Sequence, residues 1–196
     1  ITYWIDRNVP LKYRAVVREA VLEWNKAFER IGFKDAIVVQ QQADDAEFDT
    51  LDFGVASVRW LASAVPAFGA IAPKHVDPRS GEILDADIGM ESLSSRSVRS
   101  ARAQILFARS ATDWPAMMQL SSDERLAELM ARQRSGDAAV DAAACQHAQM
   151  ASEQLAYALD VLEARGEFEP DSPQAEQWVQ EYLTDTTMHE VGHTLG

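Results

Sequence analysis

Apolar and polar positions alternate at the start of the chain. Ile1-Thr2-Tyr3-Trp4-Ile5 is β-rich and reads as a strand with one buried face. From Pro10 to Ile31 the period changes. Tyr13, Val16, Val17, Ala20, Val21, Trp24 and Phe28 recur every three or four residues, which gathers them on one side of a helix. Asn8-Val9-Pro10 offers a cap and a helix-starting proline, and Gly32 falls where a C-terminal cap belongs. Ala36 to Val39 and Phe53 to Trp60 read as further strands. Ala67 to Ala72 and Ile83 to Ile88 read as two more, joined by the turn Asp77-Pro78-Arg79-Ser80-Gly81-Glu82.

The texture changes after Met90. Ser92 to Ser100 is rich in serine and arginine, and Ala101 to Arg165 is rich in Ala, Gln and Leu with almost no β-branched runs. Helices are predicted over Val98–Ala111, Asp123–Arg134 and Asp137–Arg165, with Trp114-Pro115 and Gly136 as breaks. The last carries Val140, Ala144, His147, Ala151, Leu155, Ala158 and Leu162 on one stripe, suited to an intramolecular core or helical hairpin. Gly166 to Pro173 is a second break, and a final helix runs from Pro173 to the end. The chain therefore divides into a sheet with its first helix (1–90), a helical insertion (91–172) and a closing helix (173–196). The expected fold class is α+β (mixed α/β), with a small twisted mixed sheet.

Composition narrows the function. The 196 residues are 47% hydrophobic and 25% charged, as in an ordinary globular domain, which excludes a disordered tail or a fibre. Against 18 Lys+Arg stand 31 Asp+Glu, a net charge of −13 that repels phosphate backbones and anionic membrane surfaces. Nucleic acid is not an expected partner. Val55 to Ala72, the most apolar stretch, is interrupted by Arg59 and Pro66 and cannot span a bilayer as a helix. Residue 1 is Ile with no signal peptide behind it, and the chain reads as a piece of a longer precursor. Cys145 is the only cysteine and reads as a small helix-packing residue.

The chemistry sits at the end of the chain, in His189-Glu190-Val191-Gly192-His193. Two histidines one helical turn apart lie above one another on one face, so their imidazoles converge on one point. That geometry suits zinc, which takes imidazole nitrogen at about 2.0–2.1 Å and keeps an open position in catalytic sites. Glu190 follows the first ligand and is placed to take the proton of a zinc-bound water, generating a nucleophile for an amide carbonyl. Trp178, Tyr182 and Thr186 continue the histidine face, while Val179, Leu183, Val191 and Leu195 supply an apolar one.

His189-Glu190-Val191-Gly192-His193-Thr194-Leu195-Gly196 resembles the first eight positions of the extended metzincin signature His-Glu-x-x-His-x-x-Gly-x-x-His. The matrixin and astacin-like branches, and large bacterial exported metzincin-like proteins, are the nearest in phrasing. Ile1–Ile5, the helix bearing Glu23-Trp24-Asn25 and the later strands follow the order of a metzincin N-terminal half. The resemblance implies a zinc metallopeptidase acting on peptide or protein substrates, located outside the cell, in the periplasm or at the cell surface. His189 and His193 would be zinc ligands and Glu190 the general base. An antiparallel edge strand over Phe68–Ala72, with Ala70 and Ile71, would hold an extended substrate by main-chain hydrogen bonds. The third histidine would fall three residues after Gly196, so the piece is expected to bind zinc weakly or not at all, to lack hydrolytic activity and to self-associate through the zinc-helix region. The insertion is longer than the corresponding connection in a minimal matrixin. Two alternatives stay open: a binding or scaffold module with a vestigial or structural zinc helix, and a thermolysin-like enzyme with a downstream glutamate ligand.

Other candidates read more plainly. His75 precedes a turn and reads as an exposed loop histidine, and His147 as an ordinary mid-helix residue. Asp85 and Asp87 alternate on a strand and share a face, read as solvated rather than cation-binding. Asp44 to Asp49 lacks the spacing of a calcium loop and reads as a solvated turn. No phosphate-cradling Gly-rich loop and no Ser or Cys nucleophile motif occurs.

Overall fold

The alternation of the first residues becomes β1 (Thr2–Ile5) in a computed structural model that describes residues 1–63, 69–92, 147–167 and 172–196. There follow α1 (Leu11–Leu22), α2 (Asn25–Arg30), β2 (Val38–Gln41), β3 (Ser57–Leu61), β4 (Ala70–Ile71), β5 (Lys74–Val76), β6 (Ile83–Glu91), α3 (His147–Ala164) and α4 (Pro173–Leu195). Cys145, Phe68 and the helices expected over Val98–Ala111 and Asp123–Arg134 lie outside the described residues.

The strands form one mixed sheet in the order β2-β1-β3-β6-β4, with β5 also paired to β6. β1 runs parallel to β2 and β3, and β3 parallel to β6; β4 and β5 lie antiparallel on the other side of β6. Parallel neighbours need a crossover, and α1 and α2 provide it between β1 and β2. The α+β class with a small mixed sheet is what the pattern predicted. Tyr3, Ile5, Val39, Val58, Ile88 and Met90 supply one buried face, against which α1 sets Tyr13, Val17 and Val21, and α4 sets Leu183 and Val191. Each such side chain contributes roughly 1.5–3 kcal/mol when withdrawn from water.

The opposite face corrects an expectation. Asp85 and Asp87 do share it, yet it is not a solvated face. Asp85 is 8% exposed and accepts from the Gly54 N–H at 3.0 Å, while Asp87 accepts from the Ser57 hydroxyl. Burial raises the Asp87 carboxyl above its ordinary value despite the Ser57 bond. Asp6, also buried, accepts from the Thr50 hydroxyl at 2.5 Å. The Asp44–Asp49 stretch remains exposed apart from Ala46 and Phe48, as expected of a turn, with Asp49 paired to Arg59 at 3.0 Å.

Several boundaries move for identifiable reasons. The Pro10–Ile31 helix divides at Glu23-Trp24, where Lys26 and Ala27 donate to the carbonyls three residues back. Gly32 takes φ +93, the left-handed cap predicted for it. β2 starts late because Asn25 takes both backbone groups of Ile37, at 2.8 Å each, away from the ladder. The Phe53–Trp60 strand starts only at Ser57, since 52–54 is a turn with Gly54 at φ +85. The outer arm of the hairpin is split by Pro73 into β4 and β5, so His75 stands on an edge strand rather than in a loop. α3 also turns a different stripe inward. Ala148, Ser152, Ala156 and Leu159 are buried, one position on from the predicted stripe, whose His147, Ala151, Leu155, Ala158 and Leu162 are half-buried beside them.

Candidate metal centre

α4 starts cleanly. Ser172 accepts from the Ala175 N–H at 3.2 Å and Pro173 occupies the first turn, a pairing that favours initiation. The helix then runs through to Leu195 and carries the whole His-Glu-x-x-His run. Its far end is fixed to the sheet. Thr194 donates its hydroxyl proton to the Val191 carbonyl at 2.7 Å, so the buried Tyr3 hydroxyl is the donor in the 2.5 Å bond between Tyr3 and Thr194. Lys74 on β5 donates to the His193 carbonyl at 2.9 Å, a cation at a helix C-terminus. Trp24 donates its indole N–H to the Met188 carbonyl at 2.8 Å. Its ring also packs against Gly192, where an added Cβ would lie 3.0 Å from Trp24 Cζ2. The motif glycine is therefore a packing requirement.

The two histidines converge as the spacing predicts. His189 Nε2 and His193 Nε2 are 3.1 Å apart and their rings meet at 76°. Two nitrogens at zinc distance in a tetrahedral shell lie about 3.3 Å apart, so this pair spans one edge of such a shell with little adjustment. Burial lowers the basicity of His189, and the neighbouring His147 and His193 add to that, which favours the neutral imidazole a metal requires. Glu190 lies on the buried side of the same helix. It is 1% exposed, its Oε1 has no hydrogen-bond partner, and burial pushes its carboxyl up to about 7, against a smaller opposing effect from His147. A carboxylate held dry and under-satisfied beside two convergent imidazoles is a donor set that fits zinc and a proton acceptor next to it. Among the described residues no group of three His, Cys, Asp or Glu is arranged to hold a metal.

The pair assigned to substrate, Ala70 and Ile71, forms β4 at the edge of the sheet. Glu91 N–H donates to Gly69 and Asp87 N–H to Pro73, so positions 69, 71 and 73 turn their backbone groups toward β6. Alternation leaves the N–H and C=O of Ala70 facing the open edge, and commits those of Ile71 to the sheet. His75 is exposed, with Nδ1 3.7 Å from Asp85 Oδ2.

His147 is the residue that sequence reasoning passed over. It is not an isolated helix residue: its ring stacks on that of His189, with centroids 4.0 Å apart and planes at 9°. Its Nε2 lies 2.8 Å from Asp185 Oδ2, one turn before His189. No local spacing signals this, since 42 residues separate the two histidines. Leu155 and Leu162 on the same helix pack beside Trp178, at the other end of the seam between α3 and α4. No family model matches this chain, and no curated protein and no solved structure matches it either.

Proposed function

We propose that these residues form the metal-binding half of a zinc-dependent peptidase of metzincin type, hydrolysing peptide bonds in proteins outside the cell, in the periplasm or at the cell surface. One observation carries the reading: two imidazole nitrogens 3.1 Å apart beside a buried carboxylate with an unpartnered oxygen. His189 and His193 would hold the ion. When bound, zinc supplies a Lewis acid that acidifies water and polarises an amide carbonyl. Glu190 accepts the water's proton and passes it to the leaving amine; its dry setting keeps its proton affinity near the range such a base needs. Ala70, with its backbone groups on the open edge, pairs with an extended peptide, and Ile71 anchors that edge to β6. An edge strand antiparallel to its neighbour is what the resemblance implies at this place. The signature assigns the third ligand to a histidine three positions after Gly196, and a glutamate further on would instead make the site thermolysin-like.

The test uses the full-length gene product. Glu190→Gln keeps zinc at one ion per chain and lowers cleavage of an unfolded protein substrate by about 10²–10⁴-fold, because an amide cannot accept the proton. Near-normal turnover with zinc retained would assign the base elsewhere.

A further inference from the structure

An unsupported imidazole turns broadly about its last torsion, and only a small part of that arc aims Nε2 at a shared metal. His189 is not left unsupported. The His147 ring lies flat against it at 4.0 Å, and Asp185, one turn before His189 on α4, holds the His147 Nε2 at 2.8 Å. The base of His147 is fixed as well: Ala148 is fully buried, and its carbonyl accepts from the Tyr182 hydroxyl of α4 at 3.3 Å. From this arrangement we propose that His147, supplied by α3 of the helical insertion, is a positioning residue for the metal site. Its ring fixes the His189 imidazole so that Nε2 faces His193. The inference rests on the metal-site reading and adds a role for α3 to it.

The geometry separates positioning from ligation. A metal lies in the plane of each imidazole that holds it. The planes of His189 and His193 cross at 76° and share such a point, whereas those of His147 and His189 are within 9° of parallel and stand about one ring thickness apart. One ion cannot sit in both of the latter. His147 therefore backs the first ligand rather than adding a third.

The first measurement needs no metal. In the metal-free chain, ring protons of His147 and His189 give mutual NOEs, and His147→Ala moves the His189 ring resonances away from their stacked, upfield positions. Unmoved His189 resonances would overturn the proposal. The second is zinc affinity by competition with a chromophoric chelator. His147→Ala weakens zinc binding about tenfold, in the range known for residues that orient metal ligands. His147→Phe, which keeps a ring but no nitrogen, restores affinity to within about threefold, and its cobalt complex keeps the wild-type visible bands because no ligand has been lost. Equal affinity in wild type and His147→Ala, or a phenylalanine variant as weak as the alanine one, would overturn the assignment. A wild-type chain that takes up no zinc while His147→Ala still moves the His189 ring would instead sink the metal-site reading, and with it the metal role of His147.

Discussion

The two flanks of α4 are built differently. Toward the sheet and α1 it presents Leu183, Thr187, Glu190, Val191 and Thr194, all buried, and it is tied down by the hydrogen bonds from Trp24 and Tyr3. Toward α3 it presents Trp178, Tyr182, Asp185 and His189, where among the described residues the small side chains of Ala148, Ser152 and Ala156 are buried and a separate small apolar cluster is built on Leu159 and Ala175. Glu190, the proposed base, lies on the dense flank, where loss of water raises its proton affinity. The two convergent imidazoles of His189 and His193, the proposed metal ligands, lie on the lighter flank. In this reading dense packing tunes the proposed base, and a single stacked ring aims a proposed ligand.

The sharpest way to break this contrast is to cut one leucine on each side. Leu183→Ala leaves a hole in the main core and lowers unfolding stability by about 3 kcal/mol, whereas Leu159→Ala, on a seam that can close, costs about 2 kcal/mol or less. Urea unfolding of both variants measures the difference, and an equal or reversed order removes the contrast.

A smaller effect, on the order of 1–3 kcal/mol, comes from Glu190 in the metal-free chain. Its folded carboxyl titrates near 7, above the unfolded value of 4.5, so between those values the folded chain binds the extra proton. Stability from this group is complete below about pH 4.5 and falls as pH rises toward 7. Glu190→Gln removes that slope, while the half-buried Asp87, also raised, contributes the same way in both proteins. Melting temperatures from pH 5 to 8 that fall equally in both chains would show that Glu190 is not the group responsible.

Gly192→Ala sharpens the picture further. Alanine is the better helix former by about 1 kcal/mol, but its Cβ meets a Trp24 ring already pinned by the Met188 carbonyl. The expected net effect is a loss of roughly 1 kcal/mol, and a gain in melting temperature would show that Trp24 yields. Tyr3→Phe removes one buried hydrogen bond to Thr194 and costs about 1 kcal/mol.

Much of this was legible beforehand because the signals were local. The period-two start, the helix face from Tyr13 to Val21, the Gly32 cap and the four-residue histidine spacing all act within a few residues, and each reappears in the fold. What escaped depended on partners distant in sequence. The break at Trp24 answers to Met188, the late start of β2 answers to Asn25, and the buried state of Asp85 answers to Gly54. His147 is the clearest case, since nothing around it in the chain announces a stacked histidine.

The central claim is that His189 and His193 form a metal pair, and zinc titration of the chain against a chromophoric chelator tests it most directly. Two protein ligands among the described residues predict one equivalent of zinc, held weakly enough for a strong chelator to strip, and lost in the double variant His189→Ala/His193→Ala. No zinc uptake by the wild-type chain, or uptake undiminished in the double variant, would contradict the account.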